Sequence, residues 1–363
     1  MSSLVVFSVP KTGAGRVLPL RESNDFQSRS WLRPATVRCG LRLEVQESGN
    51  HAFMLGMGFV GQFLGHQLKE EGWKVSGTCL SEIKKKKLEG SGFEIFIYSL
   101  EDYDSSRIST SYGFHHQESL FTLQDATHLL ISIPPSVSLG DPVLHFHRDL
   151  IWNRLKNGRV HWLCYLSSTS VYGDHGGYWV DEDTPPKPEN ELAVARLEAE
   201  NAWINLGCDL GVHVYVLRLG GIYGPGRSAL DTIIKQGPLS KDQQRRQHRR
   251  YPPRIHVADV CQAIRASMNK SSTWNVFNII DDDPAPRSEV FSYARSLVMQ
   301  RWPDKLDGIS VDQETLNQHA QTGELIEEKR VSNNRMKSEL GVELLHPNYR
   351  SGLESIARGY QLR

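Results

Sequence analysis

The sequence predicts an α/β fold, a doubly wound parallel sheet carrying a small C-terminal lobe, and three observations predict it. A short apolar run, Ala52–Leu55, leads into Gly56-Met57-Gly58-Phe59-Val60-Gly61, after which Phe59, Val60, Phe63, Leu64 and Leu68 recur at helical intervals. From residue 50 onward, strand-like and helix-like stretches alternate, which places helices on both faces of a parallel sheet. After Arg218 that alternation gives way to Gly-Pro turns (Tyr223-Gly224-Pro225-Gly226), a basic run and mixed short elements.

Residues 1–43 stand apart from this pattern. They hold seven Lys/Arg (Lys11, Arg16, Arg21, Arg29, Arg33, Arg38 and Arg42) against two acids, Glu22 and Asp25. Arg-rich, Ser-rich and acid-poor is the profile of an organelle transit peptide, and the apolar centre of a secretory signal is missing. Val37-Arg38-Cys39-Gly40 resembles the site at which plastid leaders are cut, which implies the chloroplast stroma. A mitochondrial leader and a disordered cytosolic tail are the alternatives.

The strands expected next are Ala52–Leu55, Lys74–Thr78, Glu94–Tyr98, His128–Ile133, Val160–Ser167 and His213–Arg218. Asp141–Asn157 reads as a helix with Pro142 in its first turn, where a missing N–H costs nothing. Glu189–Leu206 and Tyr349–Gly359 read as further helices, and Glu101–Gln124 as a polar connection. Residues 50–220 then form the dinucleotide-binding unit. Residues 221–363 form the substrate lobe and return a strand and helices to the main unit.

The strand–turn–helix–strand context turns a lone glycine pattern into the fingerprint of a Rossmann sheet. Gly56 permits the tight turn, Gly58 lets the backbone approach a diphosphate, and Gly61 lets the helix pack close to the strand. The helix N-terminus, at Phe59 and Val60, offers free N–H groups and a positive dipole end to phosphates. In such a sheet the ligand lies outside the carboxyl ends of the strands. Leu80 and Ser81, after the second strand, and Ser132 and Pro134, after the fourth, are therefore the remaining candidate cofactor contacts.

Bulk composition narrows the function. The chain is 39% hydrophobic and 23% charged with no formal net charge, ordinary for a globular protein and no argument for nucleic acid. No apolar run approaches the ~18 residues of a membrane helix. The five cysteines (Cys39, Cys79, Cys164, Cys208 and Cys261) are scattered without a C-x-x-C pair, which argues against a disulfide framework or a zinc site. No metal site is expected.

Several later segments carry a family resemblance. They are Leu166-Ser167-Ser168-Thr169-Ser170-Val171-Tyr172-Gly173, Arg218-Leu219-Gly220-Gly221-Ile222-Tyr223-Gly224-Pro225-Gly226, Arg254-Ile255-His256-Val257-Ala258-Asp259-Val260 and Phe277-Asn278-Ile279. In this order, over residues 51–363, they resemble the extended short-chain dehydrogenase/reductase family of nucleotide-sugar epimerases and dehydratases. The stretch from Val171 to Pro186 and the RIHVADV segment look most like its atypical YeeZ-like branch, here in a plant plastid form.

The resemblance implies a hydroxyl at the end of the fifth strand, a tyrosine acid/base, and a lysine four residues later that holds the nicotinamide ribose. Ser168 matches the hydroxyl position, with Thr169 following. The tyrosine and lysine do not appear. If Glu200 is the glutamate that follows the family's lysine, Arg196 stands at the lysine position and Leu192 at the tyrosine position. Leu192 cannot move a proton, whereas Arg196 stays cationic and can bond a ribose or phosphate. Tyr172, Tyr178, His175 and Asp181 are the nearby candidates to substitute for the missing acid/base.

NAD-specific relatives carry an aspartate at the end of the second strand, where this chain has Cys79. The missing acid, with Lys84–Lys87 close behind, favours NADP, with NAD the alternative; the lysines read equally as a solvated helix face. The run Arg245-Arg246-Gln247-His248-Arg249-Arg250 could clamp a diphosphate or contact RNA. The chloroplast stem-loop-binding proteins, within the wider family, bind RNA on this fold. The expectation is an NADP-binding, epimerase- or reductase-like protein, monomeric or homodimeric, with a small substrate, free or nucleotide-linked. The alternative is a non-catalytic nucleotide-binding scaffold or RNA binder.

Overall fold

Alternate residues of the central strands face two separate cores, and this alternation builds the molecule. The computed structural model describes residues 49–98, 122–235, 250–270, 275–305 and 328–360. The leader, most of the polar connection and the run up to Arg249 lie outside the described residues. In chain order the first half holds β1 (His51–Leu55), α1 (Phe59–Glu70), β2 (Lys74–Cys79), α2 (Glu82–Gly90), β3 (Glu94–Ile97) and β4 (His128–Ile131). It continues with α3 (Pro142–Lys156), β5 (Trp162–Ser168), β6 (Trp179–Val180), α4 (Glu191–Leu210) and β7 (Val214–Leu219). The second half holds β8 (Gly221–Tyr223), α5 (Ala229–Lys235), β9 (Arg254–His256), α6 (Val257–Asn269), β10 (Val276–Ile279) and α7 (Arg287–Arg301). It ends with β11 (Arg330–Val331), α8 (Asn334–Leu340) and α9 (Tyr349–Gly359).

The main sheet has seven strands in the order β10-β7-β5-β4-β1-β2-β3, every neighbouring pair parallel. The chain starts at the centre, winds to β3 and then reverses through β4, so the switch point lies between β1 and β4. Ala52, Met54, Cys164, Leu166, Leu217 and Phe277 pack on one side with Leu64, Leu88, Val260 and Met336 of α1, α2, α6 and α8. Phe53, Leu55, Leu129, Ile131, Leu163 and Val216 pack on the other with Ile151, Leu155, Trp203 and Leu206 of α3 and α4. A third cluster joins α5, α7 and α9 through Leu230, Leu297, Val298, Leu353 and Ile356. Two short parallel pairs, β6 with β11 and β8 with β9, flank the main sheet.

Caps fix several boundaries. Asp141 accepts the Leu144 N–H at 2.9 Å with Pro142 in the first turn, so α3 starts where Pro142 allows it. In α4 the Asn190 side chain takes the Ala193 N–H, and Gly211 ends the helix in the left-handed region. The helix therefore begins two residues later and ends four residues later than the expected Glu189–Leu206. β4 stops at Ile131, short of the expected Ile133, and β5 runs one residue further, to Ser168.

A histidine group lies at the opposite, N-terminal end of the sheet. His128 is buried against the Trp73 ring, 4.7 Å between centroids, and the His161 ring, 4.8 Å away. Burial, reinforced by His161, pushes its pKa down to about 4. His51, bonded to Ser76 Oγ at 2.6 Å, is lowered too, first by burial and then by Lys74. Between its unfolded pKa, about 6.5, and its folded value, His128 binds its proton only in the unfolded chain. Stability is thus lost as pH falls through that window. Comparing urea stabilities of wild type and His128→Asn between pH 7 and pH 4 should show wild type losing up to about 1.4 kcal/mol per pH unit more than the variant. Parallel curves would contradict a neutral buried His128.

Candidate functional site

β1 ends at Leu55, and the chain turns at Gly56, whose φ of +100° favours glycine. Hydrogen bonds from neighbouring segments hold the turn. Gly56 N–H donates to Thr78 Oγ1 at 2.9 Å, and Met57 N–H donates to the Thr78 carbonyl at 2.7 Å. The Gly56 carbonyl accepts from Gly58 N–H at 2.8 Å and from Ser132 Oγ at 2.6 Å. Gln62 Nε2 braces the same turn by donating to the Gly58 carbonyl at 2.9 Å.

The side of the turn left open belongs to Gly58. A Cβ placed there would meet nothing within 4 Å, whereas one on Gly61 would lie 3.0 Å from the Gly56 carbonyl oxygen. Gly61 thus sets the helix–strand approach, and Gly58 leaves space in front of the helix. Gly58 is the N-cap of α1, no side chain caps that end, and its first turn carries no acid. The N–H groups of Phe59, Val60 and Gly61 accordingly have no intrahelical acceptor and sit at the positive end of the dipole. Those features suit a diphosphate.

At the end of β2 the side chains divide between core and solvent. Cys79 is buried, while Leu80 is 70% exposed. Ser81 Oγ accepts the Lys84 N–H at 3.4 Å as the N-cap of α2, so part of its hydrogen-bonding capacity serves the helix. No carboxylate stands between Cys79 and Ser81. Lys84 and Lys85 are half-buried, Lys86 and Lys87 exposed, and Lys85 lies 4.0 Å from Glu89.

Register brings the remaining candidates to the same sheet end. Leu55 pairs with Ile131, Ile131 with Tyr165, and Ser168 with Leu219. Ser132 therefore follows β4 beside the glycine turn, with Pro134 exposed two residues on. Ser168 is half-buried; its oxygen accepts the Ser170 N–H at 3.2 Å, and its hydroxyl proton has no acceptor among the described residues. Thr169 differs. It is buried, and its hydroxyl donates to the Leu219 carbonyl at 3.4 Å, so it fastens β5 to β7 instead of facing a ligand.

Leu192, Arg196 and Glu200 recur every fourth residue and share one face of α4. Glu200 is 1% exposed and accepts from Arg218 through both carboxylate oxygens, with Arg218 Nη2 at 2.7 Å, and from Ser167 Oγ. Burial opposes the Arg218 charge, but Glu200 outweighs it and raises the pKa. One turn earlier, Arg196 is half-buried and, among the described residues, makes no ion pair or side-chain hydrogen bond. Leu192, a further turn back, is 44% exposed.

The other tyrosines and acids are engaged or turned away. Tyr172 is fully buried, its hydroxyl donates to Asn278 Oδ1 at 2.9 Å, and its ring lies 4.9 Å from the Arg218 guanidinium. Burial raises its pKa. Tyr178 is 78% exposed, Asp181 accepts from Thr184 and Asp183 within its own turn, and His175 bonds the Tyr172 carbonyl. Tyr165 has a hydroxyl without a partner among the described residues, but it is fully buried, and burial raises its pKa, so it offers no proton to the cleft. The Glu200–Arg218–Ser167 and Tyr172–Asn278 ties were not anticipated from the sequence, since each joins segments that only the fold brings together.

Among the described residues no cluster of three or more metal-ligating side chains occurs, and no helix is long and apolar enough to cross a membrane. Residues 149–279 match the model of the NAD dependent epimerase/dehydratase family. Protein YeeZ of Escherichia coli (strain K12) is 26% identical over 297 residues, 81% of this chain and 96% of that protein. A functionally unknown conserved protein from Silicibacter pomeroyi DSS superposes with a TM-score of 0.63 at 33% identity, covering 85% of this chain and 99% of its own. UDP-glucuronic acid 4-epimerase from Bacillus cereus, solved in complex with NAD, gives a TM-score of 0.59 at 18% identity, over 85% of this chain and 96% of its own. At that identity the last likeness speaks for the fold alone.

Proposed function

We propose that this chain, which belongs to the NAD dependent epimerase/dehydratase family, holds a nicotinamide dinucleotide and acts on a small, nucleotide-linked substrate without a tyrosine–lysine pair. The observation that carries the reading is the glycine cradle, with open space at Gly58 in front of an uncapped helix end. Phe59, Val60 and Gly61 N–H groups would hold the diphosphate, with Ser132 bracing the turn and Pro134 beside it. Leu80 and Ser81 would flank the adenosine end. NADP is favoured over NAD because no carboxylate stands at Cys79–Ser81 and Lys84 and Lys85 lie one turn on.

Ser168 would donate a hydrogen bond to a substrate oxygen, and Arg196 would take the ribose in place of lysine. When bound, the nicotinamide supplies hydride chemistry, and the chain supplies binding and orientation. With Leu192 in the tyrosine's place, α4 offers no proton there. Losing such an acid/base typically costs about 10²–10⁴ in rate, so slow turnover is expected. The α5, α7 and α9 cluster, within residues 221–363, would shape the substrate side, and residues 50–220 the dinucleotide side. The composition of residues 1–43 favours work in the plastid stroma. A full-length fluorescent fusion retained in the cytosol would contradict that placement.

Thermal shift with NADPH, NADH and single-stranded RNA tests the reading. A ligand at a hundredfold excess over Kd stabilises by about 2.7 kcal/mol, so NADPH should raise Tm by several degrees and NADH by less. Arg196→Gln should weaken NADPH about tenfold while leaving the unliganded Tm unchanged, as expected for loss of one charge-assisted bond. A shift with RNA alone would favour the nucleic-acid alternative and overturn the cofactor assignment.

A further inference from the structure

The loop between β8 and α5 reaches the first turn of α1, and it does so through a glycine. Gly224 is buried, and a Cβ on it would lie 3.2 Å from Phe59 Cζ and 2.6 Å from Val257 Cγ1. Any larger residue would lift the loop off the helix. Gly224 and Arg227 exchange backbone hydrogen bonds at 3.1 and 3.0 Å, around a Gly226 with φ of +79°. The next residue, Ser228, is buried, and its carbonyl accepts the Thr232 N–H of α5 at 3.1 Å. Arg227 is thus held on both sides by tied backbone.

Its guanidinium carbon lies 5.4 Å from the Phe59 ring centroid, and Phe59 is the first residue of α1, next to Gly58. Among the described residues this guanidinium meets no carboxylate and makes no side-chain hydrogen bond. Arg218 and Arg350 differ: Arg218 is committed to Glu200, and Arg350 to Asp283 and Glu289. Arg254 gives its donors to the Asp283 and Ala285 carbonyls. A planar fork of donors, stacked on a ring beside uncapped N–H groups with no acid in that turn, suits a phosphate anion.

We infer that Arg227 is an affinity-determining residue for the dinucleotide, binding its diphosphate beside the first turn of α1 from a loop of the second half of the chain. The inference rests on the cofactor reading above and extends it. The second half of the chain would then report directly on cofactor occupancy, because the loop that carries Arg227 leads into α5 and the α5–α7–α9 cluster.

Calorimetric titration of NADPH into wild type, Arg227→Lys and Arg227→Gln, at low and high salt, tests this, with UDP as a second titrant. Arg227→Gln should weaken NADPH by about 10–100-fold and flatten its salt dependence, Arg227→Lys should weaken it less, and all unliganded Tm values should agree. Equal NADPH affinity in wild type and Arg227→Gln overturns the inference while leaving the cradle intact. So does a Gln variant that loses UDP but keeps NADPH. Wild type that binds no NADPH at all removes the cofactor reading itself, and the inference with it.

Discussion

Gly58→Glu is expected to abolish dinucleotide binding while the protein remains folded. Gly58 has a φ of −80°, outside the left-handed region that favours glycine. A Cβ there meets no protein atom within 4 Å, so the fold has room for it. What it would fill is the space in front of the Phe59–Gly61 N–H groups. A carboxylate at that point satisfies the helix dipole itself and repels phosphate. The expected loss is at least about 100-fold in affinity, equivalent to about 2.7 kcal/mol, with an unliganded Tm equal to or above that of wild type. A fluorescence titration with NADPH and a melt without ligand measure both. Gly61→Val provides the contrast: with 3.0 Å already separating its Cβ from the Gly56 oxygen, it should lower stability as well as affinity.

Breaking the buried pair beneath α4 should have the largest effect on stability. Glu200→Ala leaves Arg218, 4% exposed, without its counter-charge and leaves Ser167 without its acceptor. Removing one partner of a buried pair typically costs about 3–5 kcal/mol. For a chain of this size that lowers Tm on the order of 10 °C. Glu200→Leu combined with Arg218→Met should recover much of this loss, because a well-packed apolar pair needs no counter-charge. Urea denaturation of the single and double variants measures the coupling. A double variant no more stable than Glu200→Ala would mean that packing, not charge, is what the pair supplies. The pair also fixes the face of α4 that bears Arg196, so the single variant should weaken NADPH binding even at temperatures where it stays folded.

What the sequence made legible was what local chemistry decides. Asp141, Pro142 and Asn157 bound α3 as expected because cap and proline act within one turn. The first glycine does have a positive φ, and the third does bring helix and strand together. Six expected strands lie in the main sheet, since apolar runs between turns carry that signal on their own. Hydroxyls were harder to read. Ser81 caps a helix, and Thr169 ties two strands, because backbone groups left over by the fold claimed them. Interactions over long separations were not legible at all. Tyr172 finds Asn278 across 106 positions, and Arg227 meets Phe59 only because a buried glycine lets a distant loop descend. Neither partner of such a pair carries a pattern that names the other.

A crystal structure of the wild-type protein with NADPH shows whether the glycine turn holds the dinucleotide. Density for the diphosphate is expected within hydrogen-bond distance of the Phe59 and Val60 N–H groups, in the space in front of Gly58. A saturating soak that leaves that space empty, or a dinucleotide bound elsewhere on the sheet, would contradict it.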